Sequence, residues 1–96
     1  MSQQVIVTTD APVALKPLIE SAIRSELRML ELGLARTSQH LHAFEDQYGL
    51  TSEEFERRFA AGDIAETLDY IEWAGEIKTH HVLKAQQQAL QQVQLR

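Results

Sequence analysis

Four side chains that could bind a metal or move a proton recur in one short stretch: Asp69, Glu72, Glu76 and His80. Spacings of three and four residues put them on one edge of a helix. Carboxylates with a His can hold iron, manganese or zinc. The di-iron helical bundles, however, draw a Glu-x-x-His pair from each of two helices and further Glu from two more. Here Glu76 and His80 are four apart, no His-Glu-x-x-His run exists, and the long helix upstream brings no carboxylate into its main apolar stripe. No metal site and no cofactor are expected. Acid–base catalysis needs a carboxylate held in an apolar pocket, whereas Glu72 and Glu76 can both reach water. His40, His42 and the tandem His80–His81 read as surface residues. With no Cys, no Gly-rich phosphate loop and no nucleophile motif, the expectation is a protein that is not an enzyme and has no catalytic residues.

The same stretch, LDYIEWAGEI from Leu68 to Ile77, carries the chain's single Trp. Tyr70, Trp73 and Ile77 fall at i, i+3 and i+7, an apolar row bordered by Asp69, Glu72 and Glu76. Rigid aromatic anchors are what interface hot spots favour, and neighbouring acids steer a basic partner and reject wrong ones. These six residues are the expected partner-binding site. The plain alternative is that the row packs in the protein's own oligomer. Either way the stretch reads as an interface.

Charge supports a basic partner. From Glu45 to Glu76 ten acids stand against Arg57 and Arg58, a local −8 in a chain of −5, which leaves the rest at +3. Such a middle repels a phosphate backbone, although a solvated helix face would look the same.

The elements that must position these groups are helical. A chain of 96 residues with 44% apolar content, four Gly and two Pro is one small domain, residues 1–96. Residues 1–14 read as a short β-branched strand, QVIVT, and a turn, TTDAP; nothing else reads as a strand, so this one frays, or pairs with a second copy or another protein. A helix should run from about Pro17 to Tyr48 and end at Gly49. Its main stripe is Ile23, Leu27, Leu30, Leu34, Thr37, Leu41, Phe44 and Tyr48, a coiled-coil-like seam. A second stripe, Leu18, Ala22, Ser25, Met29 and Leu32, lies well round the helix. Thr51 should cap a short helix in a capping box with Glu54, with Leu50 stapled to Phe55. Asp63 with Glu66 should open the last helix, whose tail over residues 85–96 frays. Its inner stripe reads as Ile64, Leu68, Ile71, Gly75, Val82, Ala85 and Ala89, with Tyr70, Trp73 and Ile77 opposite.

The expected fold is therefore all-α: a long helical hairpin with a short intervening helix and one N-terminal strand. Two apolar stripes on a helix imply two neighbours, and a lone hairpin of this size buries little. A symmetric dimer with a bundle-like core is the economical solution. Leu18, Met29, Leu32, Ile23, Leu27, Leu30 and Leu34 are its expected interface.

A strand before a helix also suggests a ribbon-type DNA-binding regulator. The strand has no Lys or Arg, and the first helix is about twice too long for that fold, so nucleic acid is not the expected partner. No apolar run reaches the ~20 residues of a membrane span, and MSQQVIV is not a signal peptide. A cytoplasmic location is expected, without membrane contact.

The order QVIVTTD, then LKPLIESAIRSELRMLELGLARTSQHLHAFEDQYGL, then TSEEFERRFAAGDIAETLDYIEWAGEI resembles a group of short prokaryotic antitoxin-like helical proteins encoded beside a small toxin-like protein. The shared pattern is a Tyr-Gly, a Ser/Thr-Glu-Glu-Phe start, a Gly-acid pair and an aromatic-rich Glu-Trp. It covers most of residues 15–80, and the tail after Lys84 lies outside it. The resemblance implies an acidic protein that binds and neutralises a small partner such as a nuclease, and it assigns no residue roles. The rival expectation is a homo-oligomeric structural or scaffolding protein.

Overall fold

The computed structural model describes residues 4–10 and 14–95, with the side chains of 94 and 95 left aside. Among them the order is β1 (Gln4–Val5), α1 (Leu15–Tyr48), α2 (Ser52–Ala60), α3 (Leu68–Gln91) and β2 (Gln94–Leu95). The chain is all-α in class: α1 and α3 form a long antiparallel hairpin, and α2 closes one end. The molecule measures 59 × 23 × 18 Å with a radius of gyration of 18.6 Å. A compact chain of this length would have about 12.5 Å.

The ends of the helices follow local chemistry. Gly49 takes φ 67°, the left-handed conformation, and its N–H returns to the Glu45 carbonyl, which stops α1. Thr51 caps α2 by accepting from the Glu54 N–H at 3.1 Å. The other half of the expected capping box does not form. The Glu54 carboxylate turns forward to Arg57 and to Arg58 Nε, and Glu45 of α1 receives the Ser52 N–H at 2.7 Å. Gly62 turns the chain at φ 78°.

Three expectations are corrected. The last helix begins after Thr67, which accepts from the Tyr70 N–H at 3.1 Å, and not at Asp63. Asp69 then sits in the first turn, where the helix dipole favours an acid, while Ile64 is freed to fold onto the core. The N-terminal strand is also not alone. β1 pairs in parallel with β2, Gln4 with Gln94 and Val5 with Leu95, in the stretch expected to be a fraying helical tail. A parallel pair needs a long crossover, and here the whole helical hairpin supplies it.

The third correction concerns the faces of α3. Trp73 and Ile77 point inward, at 0% and 4% exposure, whereas Leu68 and Ile71 are 76% and 51% exposed. α2 decides this. It presents Phe55, and the Trp73 and Phe55 rings stack at 3.9 Å and 6°. Large flat rings bury more area in that gap than Leu68 and Ile71 could. All six aromatics of the chain gather there: Phe44, Tyr48, Phe55, Phe59, Tyr70 and Trp73.

On α1 the main stripe faces α3. Leu30 and Thr37 are buried within the single chain, and Ile23, Leu27 and Leu34 are half-buried beside them. Leu30 therefore belongs to the hairpin seam rather than to an interface between copies. Gly33 serves the same seam: a Cβ there would come within 3.1 Å of Leu83 Cδ1. The second stripe, by contrast, stays open at Leu18, Met29 and Leu32.

Candidate functional site

The six residues expected to bind a partner do not form one surface. Trp73 lies beneath α2, stacked on Phe55 and Phe44, with its Nε1–H donated to Ser52 Oγ at 3.0 Å. Ile77 is core and Tyr70 is half-buried against the same cluster. An anchor must be reachable, and Trp73 is not. Its indole serves the hairpin instead.

The acids beside it divide the same way. Asp69 accepts a hydrogen bond from the Tyr48 hydroxyl. That bond, followed by burial and the carboxylate's negative charge, pushes the Tyr48 hydroxyl up from 10.0 to about 12. Glu76 lies 3.2 Å from His40 Nδ1, an ion pair whenever that ring is protonated. Of the three, only Glu72 is exposed.

Three of the four residues of that edge, Asp69, Glu76 and His80, are thus engaged in contacts with α1. His80 Nδ1 lies 2.7 Å from the hydroxyl of buried Thr37, which also donates to the Leu34 carbonyl at 3.1 Å. One hydroxyl proton serves only one of these at a time, so the tautomer of His80 sets which bond Thr37 donates. Thr37 looks out of place in an apolar seam until His80 is set opposite it. That polar mismatch was the available sequence signal. Among the described residues no group of three His, Asp or Glu is disposed to hold a metal ion.

Most of the charge that reaches solvent at the closed end is acidic, against the exposed Arg57 and Arg58 of α2. Asp46, Glu53, Glu56, Asp63, Glu66 and Glu72 are all exposed there. Glu54 is half-exposed; hydrogen bonds from Arg57 and then Arg58 hold its carboxyl below the usual range. Two open grooves flank this end. One, of ≈ 400 Å³, runs between α1, α2 and α3 past His42, Glu45, Glu53, Glu56 and His81. The other, of ≈ 530 Å³, lies between α1 and α3 beside Gly75, with Phe44 and Ala43 along it and Glu72 and Glu76 at its side. A cationic side chain with an apolar stem fits the chemistry of either. No described helix is long and apolar enough to cross a membrane.

Comparison with protein-family models, curated proteins and solved structures gives no match for this chain.

Proposed function

We propose that this protein is a non-enzymatic protein-binding module of antitoxin type, which acts as a dimer and neutralises a small basic partner. The observation that carries the reading is the gathering of six exposed acids around the closed end, next to a groove that offers Glu53 and Glu56. A net-acidic surface, here with Arg57 and Arg58 drawn to Glu54, speeds the encounter with an oppositely charged protein and disfavours nucleic acid. The aromatic cluster beneath keeps that surface rigid, and the resemblance to antitoxin-like proteins points the same way. The binding residues differ from those expected from sequence: Glu53 and Glu56 take the place of Trp73 and Ile77.

A scaffolding reading has one observation in its favour, the large apolar side chains left open on both long helices. The ribbon-type DNA-binding reading loses its support, since β1 is already paired with β2.

Co-purification from the native host tests the proposal. The expected result is a small basic protein in stoichiometric amount, released by salt and weakened at least tenfold by Glu53→Lys with Glu56→Lys. No partner, or one indifferent to both salt and charge reversal, overturns it.

A further inference from the structure

The outward face of α3 repeats every three and four residues: Leu68, Ile71, Gly75, Lys78, Val82, Ala85 and Ala89. Every one of these is exposed. This is the spacing of a coiled-coil seam, and a single Lys stands in the middle of it. The neighbours of Lys78 at three and four residues along the helix are Ala74, Gly75, His81 and Val82, none of them acidic. Gly75, one turn away, borders the ≈ 530 Å³ groove that Glu72 and Glu76 flank. A Cβ built at Gly75 meets nothing within 4 Å.

We infer that this seam is a homodimer interface in which two copies of α3 pack antiparallel, the Lys78 of each entering the groove at Gly75 of the other. This rests on the dimeric reading above and names its face.

Register decides the orientation. In an antiparallel pair, Leu68 faces the partner's Ala85, Ile71 faces the partner's Val82 and Gly75 faces the partner's Lys78. Large meets small at two of the three levels, as interdigitating layers require. The lysine stem crosses the space a glycine leaves, and its ammonium reaches Glu72 and Glu76. A parallel pair in register would set Gly75 on Gly75 and Lys78 on Lys78, a hole beside a like-charge contact. Area agrees. The chain exposes 7190 Å², whereas a folded monomer of 10.9 kDa exposes about 5,600 Å². That excess goes with the elongated 59 × 23 × 18 Å shape, which leaves one face of each long helix open to a partner copy.

The chain has no Cys, so single-cysteine variants report the pairing directly. Oxidising a mixture of Ile71→Cys and Val82→Cys proteins should give a disulfide-linked dimer, while either variant oxidised alone should not. In light scattering, Lys78→Glu should weaken dimerisation at least tenfold, and adding Glu72→Lys to it should restore the dimer. Gly75→Leu should stay helical by circular dichroism yet become monomeric, because a Cβ there meets nothing of its own chain within 4 Å while the leucine occupies the space the partner's lysine needs. Cross-linking within either single variant would show a parallel pair and overturn the inference. A dimer mass without the mixed cross-link would overturn this face while the dimeric reading stands. A mass near 10.9 kDa across a hundredfold dilution from micromolar concentration would overturn both. None of these outcomes bears on a basic partner, which is absent from the purified sample.

Discussion

The Trp73 indole lies parallel to the Phe55 ring, 3.9 Å between centroids, with both side chains fully buried. One comes from α3 and the other from α2, and the stack welds the short helix to the hairpin. The Nε1–H of the same indole is satisfied by Ser52 Oγ, so the ring can be buried without a stranded donor. Truncating it tests this account. Trp73→Ala should cost about 3–5 kcal/mol, the range for a large buried aromatic, measured by urea unfolding. Ile71→Ala, on the outward face, should cost the isolated chain under about 1 kcal/mol. Equal losses at a dilution where the chain is monomeric would mean that the two faces of α3 are not as described.

The helix caps give a second prediction. Thr51→Ala and Thr67→Ala each remove an oxygen that accepts a first-turn N–H. Each should lower stability by about 0.5–2 kcal/mol, and the exchange of Ser for Thr should recover most of it. An unchanged melting curve for Thr67→Ala would place the start of α3 elsewhere.

Thr37→Val keeps the shape of the seam but removes the hydroxyl that links Leu34 to His80. A loss of about 0.5–1.5 kcal/mol is expected, with the His80 ring freed to reorient. Nitrogen-15 shifts of the His80 ring should report the loss of the Nδ1 hydrogen bond in the variant. Shifts identical to the parent would show that Thr37 does not hold that ring.

Tyr48 links pH to stability. Its folded pKa of about 12 lies above the ordinary 10.0, so folding favours the neutral phenol. The corresponding stability is complete below pH 10 and is lost as pH climbs towards 12. In a Tyr70→Phe background Tyr48 is the only tyrosine, and its ultraviolet titration should have a midpoint near 12. Replacing Asp69 with Asn should bring that midpoint down, because the hydrogen bond to the carboxylate is the largest cause of the rise. A midpoint at 10 with Asp69 intact would show that the bond is absent.

Much of the architecture was legible because it is written locally. Gly49 stops α1 because few residues but glycine adopt its positive φ, and Thr51 caps α2 because a hydroxyl in that position satisfies an orphan N–H. The seam from Ile23 to Tyr48 follows from the helical repeat alone. These features involve residues a few places apart, so the sequence by itself determined the helical class, the hairpin and the bounds of α1 and α2. The acidic middle was legible too, since net charge is additive.

Which face of α3 turns inward was not local. Both of its faces carry an apolar row at proper spacing, and periodicity ranks Leu68, Ile71 and Val82 as highly as Trp73 and Ile77. The choice belongs to α2, which arrives from another part of the chain with Phe55 and selects the face that can stack on it. The pairing of β1 with β2 was hidden for a similar reason: a two-residue ladder has no pattern of its own and exists because the hairpin brings the chain's two ends together. The same holds for Thr37 with His80 and Tyr48 with Asp69, contacts 43 and 21 residues apart. Local chemistry set the helices; only their packing decided which side chains the interior consumed and which acids and apolar rows stayed exposed.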